Sequence, residues 1–274
     1  MTVASYFRPA SVREALSLLV ELGQELLVIA GGTIAMPLIN EGISLPREVM
    51  GLRHAGLDTY ERSASEVRIG ATLPLTRLTE QDDLPLLRAA ARRTASWSIR
   101  NMATVGGNLF APPPAGDVAT ALLALDARVT ISGRNGEREL ALADLWTGFM
   151  TTALAADELL TAITVPLRDE PSAFLKFGRK EANTPAIVSV AVAGDRIALG
   201  AVDVHPIRAR KAEAALAGGP RDEAAIAAAA EAAADECEPL ADALASEWYR
   251  RRMVRIFVER VLRDQAAGMI GMEA

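Results

Sequence analysis

The amino-acid sequence predicts an α+β protein with two domains, and three observations support this prediction. In the first part of the chain, apolar runs of strand length alternate with stretches of helical periodicity. Two of the turns in this part contain paired glycines. The second part reads as three successive strands followed by alanine-rich helices, a pattern typical of a sheet covered by helices.

A polar segment at residues 167–171 separates the two parts. We therefore predict a first domain over residues 1–168 and a second domain over residues 169–274. The first domain divides into subdomains at about 1–56 and 57–168, each containing one of the glycine turns.

Composition excludes several classes of protein. With 274 residues, of which 50% are hydrophobic, the chain has enough apolar material for a large core, and its net charge of -6 argues against nucleic-acid binding. The single cysteine, Cys237, allows neither an intrachain disulfide nor an iron–sulfur cluster, which needs about four thiolates. No signal peptide or membrane span is recognisable. We expect a cytoplasmic protein that holds no metal of its own.

The first subdomain opens with a capping-box sequence, Ser11 to Glu14, ahead of an amphipathic helix. Residues 26–30 form an apolar run that predicts a buried strand, and this strand ends at Gly31-Gly32-Thr33. A second helix is predicted over residues 34–40.

In the second subdomain, strands are predicted over residues 67–71, 129–132, 137–142 and 159–165, and helices over residues 84–95 and 118–125. Gly133 to Gly136 indicate a hairpin turn between two of these strands. The three prolines at 112–114 exclude a helix or central strand there. Asp117 is placed to cap the helix that follows.

In the second domain, strands are predicted over residues 172–179, 186–193 and 196–204, and helices over residues 208–216, 221–235 and 244–266. The last helix has an apolar face that consists of Trp248, Val254, Phe257, Val258, Val261 and Leu262. Its other face carries Arg250, Arg251, Arg252, Arg255, Arg260 and Arg263. This basic face is either a solvated surface or a docking surface for a partner subunit.

The first glycine turn, Gly31-Gly32-Thr33, joins a strand to a helix. Paired glycines let backbone N–H groups approach a ligand closely, which suits a phosphate or pyrophosphate. The alternative is a tight turn without a ligand. The turn is neither a Walker A loop nor a G-x-G-x-x-G fingerprint.

The second glycine turn lies in Thr104-Val105-Gly106-Gly107-Asn108, where we expect further free backbone donors and donors from the threonine and asparagine side chains. Asp117 offers a carboxylate for ribose hydroxyls, or else caps its helix. Two such turns fit an extended dinucleotide, although their spacing alone does not select FAD.

Three motifs together carry a specific resemblance: Ala30 to Thr33, Ile99 to Leu109, and Pro114 to Asp117. In this order they resemble the FAD signature of the molybdenum-hydroxylase flavoproteins, which include the medium subunit of aerobic carbon-monoxide dehydrogenase and the FAD domain of xanthine dehydrogenase. The resemblance continues through residues 172–180 and 197–202 and so covers most of the chain.

The resemblance implies a two-subdomain FAD-binding fold like that of vanillyl-alcohol oxidase (the PCMH type), followed by a three-stranded antiparallel sheet with helices. It also implies that the pyrophosphate is held near both turns, that Asp117 binds the adenosine ribose, and that Leu160 and Lys176 lie near the flavin ring. The implied FAD-binding residues are Val28, Ile29, Ala30, Gly31, Gly32, Thr33, Ile34, Ala35, Thr104, Val105, Gly106, Gly107, Asn108, Asp117, Leu160 and Lys176. No catalytic residue is implied in this chain.

By the same resemblance, the chain is an electron-transfer subunit of a heteromeric oxidoreductase. A small partner subunit would carry [2Fe–2S] clusters and a large one the molybdopterin centre, in a dimer of heterotrimers, with FAD bound non-covalently in this chain. The alternatives are a self-contained FAD oxidase or reductase and a non-enzymatic dinucleotide-binding assembly protein. Two departures from the family pattern, Ile34 and Thr184-Pro185, bear on the region near the flavin and leave the electron acceptor open.

Overall fold

A computed structural model describes residues 3–112, 116–180, 183–219 and 221–267 and confirms the α+β fold. Pro113, Pro114 and Ala115 of the predicted proline-rich loop lie outside the described residues, as do Glu181 and Ala182 of the segment before Thr184. Within the described ranges, no helix is long and apolar enough to cross a membrane.

The first subdomain is built on a parallel sheet of three strands in the order β1-β3-β2. Its elements are β1 (Ser5–Phe7), α1 (Val12–Leu22), β2 (Leu26–Ile29), α2 (Ala35–Asn40) and β3 (Glu48–Gly51). Helix α1 begins where the capping box predicts, because Oγ of Ser11 accepts from the amide of Glu14 at 3.2 Å. The Glu14 carboxylate in turn accepts from the amide of Ala10 at 2.8 Å.

The second subdomain contains an antiparallel sheet of five strands in the order β4-β5-β10-β6-β7. Its elements are β4 (Tyr60–Arg62), β5 (Glu66–Gly70), α3 (Leu75–Leu78), α4 (Pro85–Arg93), α5 (Trp97–Arg100), α6 (Val105–Leu109), α7 (Asp117–Ala124), β6 (Arg128–Gly133), β7 (Gly136–Ala141), β8 (Trp146–Gly148), β9 (Thr151–Thr152) and β10 (Leu159–Pro166). The predicted hairpin is confirmed, since Gly133 pairs with Gly136 across the turn.

The second domain has the three predicted strands in antiparallel order, with a fourth strand of two residues at the edge. Its elements are β11 (Ser172–Phe177), β12 (Val188–Ala193), β13 (Arg196–Gly200), β14 (Ile207–Arg208), α8 (Arg210–Leu216), α9 (Glu223–Glu236) and α10 (Glu247–Ala266). The fourth strand escapes prediction because two residues are too short to show an alternating pattern.

Helix α7 lies between the two domains and all eight of its residues are buried. One face of β12, with Ala191 and Ala193, belongs to the core around α7. The other face, with Val188 and Val190, packs in the core formed with α9 and α10. Because β12 is covered on both faces, its sequence is apolar except at Ser189, whose hydroxyl lies 3.5 Å from that of Thr120 in α7. The start of α7 is therefore held directly against the second domain.

The interpretation of α10 is wrong at two positions. Val254, Val258, Val261 and Leu262 are buried as predicted, but Trp248 is 66% exposed and lies beside the guanidinium of Arg252. Arg250, assigned to the polar face, is only 1% exposed. Its guanidinium donates to the carbonyls of Ile187 and Ala201 at 2.6 and 2.8 Å and to both carboxylate oxygens of Asp242. Periodicity does not anticipate this burial because the compensating acceptors lie outside the helix.

Candidate functional site

The two glycine turns meet at a cavity of about 440 Å³ between the subdomains. This volume is in the range of small-molecule and cofactor sites. Of the sixteen residues implied by the resemblance, all except Val105, Asp117 and Lys176 line it. The cavity is also lined by residues outside this set of sixteen: Leu38, Leu52, Ala71, Thr72, Ala103, Phe110, Leu154, Glu158 and Leu159.

The first turn touches the segment that precedes the second one. A Cβ atom at Gly31 would lie 1.9 Å from the carbonyl oxygen of Met102, so only glycine permits this approach. The next residue, Gly32, has a φ of 71°, a backbone conformation that favours glycine. The paired glycines thus bring the two turns together and shape one wall of the cavity.

The first turn presents free backbone donors. Among the described residues, none accepts a hydrogen bond from the amides of Gly32, Thr33, Ile34 or Ala35, and all four residues line the cavity. The first amide to bond back is that of Met36, which donates to the carbonyl of Gly32 at 2.9 Å. Amides without a protein partner need acceptors from solvent or from a ligand. Consecutive free amides of this kind suit an anionic, oxygen-rich group.

The second turn is built differently from the prediction. The amide of Val105 donates to the carbonyl of Leu73 at 3.0 Å, and the amide of Gly106 donates to that of Ala71 at 2.8 Å. The amide of Gly107 donates to Oγ1 of Thr104 at 3.1 Å. The expected free donors are therefore used within the protein. Gly106 instead allows the turn to pack closely against Ala71, because a Cβ atom there would lie 2.8 Å from the carbonyl oxygen of Ala71.

The same hydrogen bonds explain why Val105 is not on the cavity wall. Its side chain is fully buried in the core of the second subdomain. What the second turn offers to a ligand is the surface of its glycines and the side chains of Thr104 and Asn108.

Asp117 does not cap α7. It is the first helical residue after Gly116, and it makes no capping hydrogen bond. Oδ1 of Asn108 takes this role by accepting from the amide of Ala119 at 3.1 Å. The cap thus comes from the second glycine turn, eleven residues earlier in the chain. The capping alternative for Asp117 is wrong, and its carboxylate has another partner.

That partner is Lys176 in β11, whose Nζ lies 2.6 Å from Oδ2 of Asp117. Both side chains are 6% exposed, and Nζ also donates to the carbonyl of Arg93 at 3.0 Å. Burial raises the pKa of the Asp117 carboxyl, while the Lys176 ammonium opposes that rise. Neither side chain lines the cavity, but α7, which begins with Asp117, is bonded through the amide of Ala119 to the cavity residue Asn108.

Glu158 is a cavity residue that no sequence motif indicates. Arg138 in β7 donates to its two carboxylate oxygens at 2.8 and 2.7 Å, and the amide of Ala155 donates to one of them at 2.8 Å. Arg138 also donates to the carbonyl of Ala153 at 2.9 Å. The hydrogen bonds from Arg138 hold the pKa of Glu158 below its ordinary value. This cluster fixes the segment that carries Leu154 and leads into Leu159 and Leu160, the apolar end of the cavity.

Metal-binding groups are not found in the described parts of the chain, where no three His, Cys, Asp or Glu side chains converge. Cys237 is buried, and this burial raises its pKa to about 12, which keeps the thiol protonated. It takes no part in the cavity.

Comparison with known proteins gives matches along nearly the whole chain. The family described as "FAD binding domain in molybdopterin dehydrogenase" matches residues 2–168, and the family described as "CO dehydrogenase flavoprotein C-terminal domain" matches residues 172–265. The chain is 32% identical to the 6-hydroxypseudooxynicotine dehydrogenase complex subunit alpha of Paenarthrobacter nicotinovorans, covering 92% of this chain and 90% of that protein. It is 29% identical to the carbon monoxide dehydrogenase medium chain of Afipia carboxidovorans, covering 94% of each.

Solved structures agree with these matches. Carbon monoxide dehydrogenase from Hydrogenophaga pseudoflava has a chain that superposes with a TM-score of 0.93 at 30% identity, over 98% of this chain and 99% of that chain. Quinoline 2-oxidoreductase from Pseudomonas putida 86 gives a TM-score of 0.88 at 28% identity, over 97% and 98% of the two chains.

Proposed function

The chain belongs to the FAD-binding flavoprotein subunits of the molybdenum hydroxylase family, and from this premise we propose where it holds FAD and how it serves its complex. FAD would lie in the cavity between the two glycine turns, with its pyrophosphate against the first turn. When bound, FAD supplies the redox chemistry, whereas the protein supplies binding, orientation and electrostatics. We keep the domain division at residue 168 as part of this proposal.

The observation that carries the proposal is the row of four free amides at Gly32 to Ala35. A pyrophosphate is anionic and rich in acceptor oxygens, so it satisfies donors that the protein leaves unpaired. Of the described residues that line the cavity, none is a lysine or an arginine. The backbone amides, with the hydroxyls and amide side chain nearby, are therefore the groups available to hold the phosphates.

The other proposed contacts follow the resemblance. Val28 to Ala35 and Thr104 to Asn108 would surround the pyrophosphate region, with Val105 supporting the turn from the core. Leu160 would lie near the flavin ring, at the apolar end of the cavity.

Asp117 and Lys176 would reach FAD from beside the cavity. Their ion pair uses only Oδ2 of Asp117, so Oδ1 can still accept from a hydroxyl of the adenosine ribose. Two of the three donors on Nζ of Lys176 are used, by Asp117 and by the carbonyl of Arg93, so one is left for FAD. Because Nζ lies 2.6 Å from the Asp117 carboxylate, Lys176 would meet FAD in the same region as Asp117 and not at the flavin end that the resemblance implies.

We further propose that the electrons come from [2Fe–2S] clusters in a small partner subunit and originate at a molybdopterin centre in a large one. The complex would be a dimer of heterotrimers that delivers electrons through FAD to an external acceptor. The relatives support the dependence on partner subunits, because they are named as one subunit or the medium chain of a larger enzyme. The chain's single cysteine supports it as well, since a cluster needs about four thiolates.

The first test uses the purified chain. After reconstitution with FAD and gel filtration, the flavin absorbance should remain with the protein at one FAD per chain. The chain alone should not oxidise an organic substrate. Turnover by the isolated chain would favour a self-contained oxidase, and failure to retain FAD would overturn the proposal.

The second test addresses the partners. Co-expression with neighbouring reading frames, one of which carries two four-cysteine cluster motifs, should yield a complex that contains this chain, iron and molybdenum. If such subunits purify without the chain, the proposed partnership is wrong.

A further inference from the structure

Thr72 lines the cavity just after β5, beside the second glycine turn. Its amide donates to the carbonyl of Leu57 at 2.9 Å. The preceding residue, Ala71, accepts from the amide of Gly106 at 2.8 Å, and the following residue, Leu73, accepts from the amide of Val105 at 3.0 Å. Thr72 is thus fixed on both sides, and its position on the wall is set by the backbone of the turn.

Within the described parts of the chain, no group hydrogen-bonds to the hydroxyl of Thr72, although the residue is only 6% exposed. Among the described residues, three buried side-chain atoms share this condition: Oε2 of Glu48, Oγ1 of Thr72 and Nε of Arg250. Of these three atoms, only Oγ1 of Thr72 belongs to a residue that lines the cavity. Thr104, on the same wall, has a hydroxyl that is already bonded to the amide of Gly107.

A buried hydroxyl without a partner destabilises a protein, so such a group in a binding cavity calls for a ligand atom. We propose that the hydroxyl of Thr72, which is covered in the structure, turns toward the cavity when FAD binds and donates a hydrogen bond to an oxygen of the diphosphate–ribityl part of FAD. This inference depends on the proposed function, because it assigns a further residue to the same cavity. A hydroxyl donor is valuable here since the described wall offers no cationic side chain.

The test compares Thr72→Val, which removes the hydroxyl at nearly constant shape, with Thr72→Ser, which keeps it. The FAD dissociation constant is measured by titrating each FAD-free chain and following the quenching of flavin fluorescence. We expect Thr72→Val to weaken binding by roughly ten- to a hundredfold, as for a hydrogen bond to a charged group. Thr72→Ser should stay close to the wild type. Thr130→Val, a buried strand position away from the cavity, is the matched control and should bind normally.

A second readout separates ligand binding from a structural role. Because the hydroxyl is unpartnered, Thr72→Val should leave the melting temperature of the FAD-free chain unchanged or raise it by about 2 °C, while FAD affinity falls. A Thr72→Val chain that unfolds without FAD would show that the protein itself needs the hydroxyl, which contradicts the inference. If the folded Thr72→Val chain binds FAD with wild-type affinity, the inference about Thr72 is wrong, but the proposed function stands. Absence of FAD binding by the wild type overturns the proposed function instead.

Discussion

Lys176 and Asp117 join the two domains through a buried ion pair, with Nζ of Lys176 lying 2.6 Å from Oδ2 of Asp117. The lysine is the last residue but one of β11, and the aspartate is the first residue of α7. Both side chains are 6% exposed, so neither charge can be neutralised by solvent if its partner is removed. The pair therefore ties the second domain to the helix that lies beside the cavity.

Lys176→Met should destabilise the chain by about 3–5 kcal/mol near neutral pH, because it leaves a buried carboxylate unpaired. The double variant with Asp117→Asn should recover most of this loss. Urea unfolding followed by circular dichroism measures both. Arg168→Met is the control, because Arg168 and Asp126 form an exposed ion pair at 3.2 Å. This substitution should lower the free energy of unfolding by about 1 kcal/mol or less.

The loss caused by Lys176→Met should depend on pH. Burial raises the folded-state pKa of Asp117 above its ordinary value of 3.8, and removal of the lysine removes the group that opposes this rise. A group whose pKa is higher in the folded than in the unfolded state stabilises the fold below pH 3.8. This stabilisation is lost as the pH rises through the folded-state pKa. The variant should therefore approach the wild type in acid. Equal losses at all pH values would contradict the assignment of an unpaired carboxylate.

The double variant also tests the proposed ribose contact. Asp117→Asn with Lys176→Met keeps the pair neutral but removes the carboxylate that would accept from a ribose hydroxyl. If Asp117 or Lys176 contacts FAD as proposed, this chain should retain less flavin after gel filtration despite its recovered stability. Full retention would limit both residues to their ion pair.

The predictions from sequence succeed where a local pattern determines the structure. The apolar run at residues 26–30 followed by glycines indicates a strand and a turn, because these features depend on neighbouring residues. The two glycine turns look alike in sequence, yet only the first leaves its amides free. In the second turn, backbone amides donate to carbonyls of the segment after β5. This is a tertiary contact that no local sequence pattern predicts.

The groups that sequence reasoning missed are defined by distant partners. Asn108 caps α7 from eleven residues away, and Glu158 depends on Arg138 in a different strand. Thr72 is significant only because none of the described residues bonds to its hydroxyl, a property that only the folded cavity reveals. Sequence periodicity also placed Arg250 on the solvent side, since the acceptors that permit its burial belong to other segments.

Glu158→Gln should weaken FAD binding by about fivefold, because a neutral amide holds Arg138 less firmly and loosens the apolar end of the cavity. The pKa of Glu158 is held below its ordinary value of 4.5 by the hydrogen bonds from Arg138. A lowered pKa gives stability that is present above 4.5 and is lost as pH falls through the folded-state value. The difference in melting temperature between wild type and Glu158→Gln should therefore shrink below pH 4.5.

The control for Glu158→Gln is Glu66→Gln. Glu66 also pairs with an arginine, Arg128 at 3.0 Å, but it does not line the cavity and its side chain is more exposed than that of Glu158. The FAD affinity of Glu66→Gln should equal that of the wild type. Equal affinity in Glu158→Gln as well would show that the Arg138 cluster does not shape the binding site.

Gly31→Ala should disrupt both the site and the packing of the two subdomains. The added methyl group would lie 1.9 Å from the carbonyl oxygen of Met102, and a backbone atom cannot move aside as a flexible side chain does. We expect a loss of about 3 kcal/mol or more in stability, together with loss of flavin, measured by urea unfolding and by absorbance after gel filtration. Gly219→Ala is the matched control, because a Cβ atom there meets nothing within 4 Å, and it should change stability by about 0.5 kcal/mol or less. If Gly31→Ala retains flavin like the Gly219→Ala chain, the close contact between the two turns is not what forms the cavity.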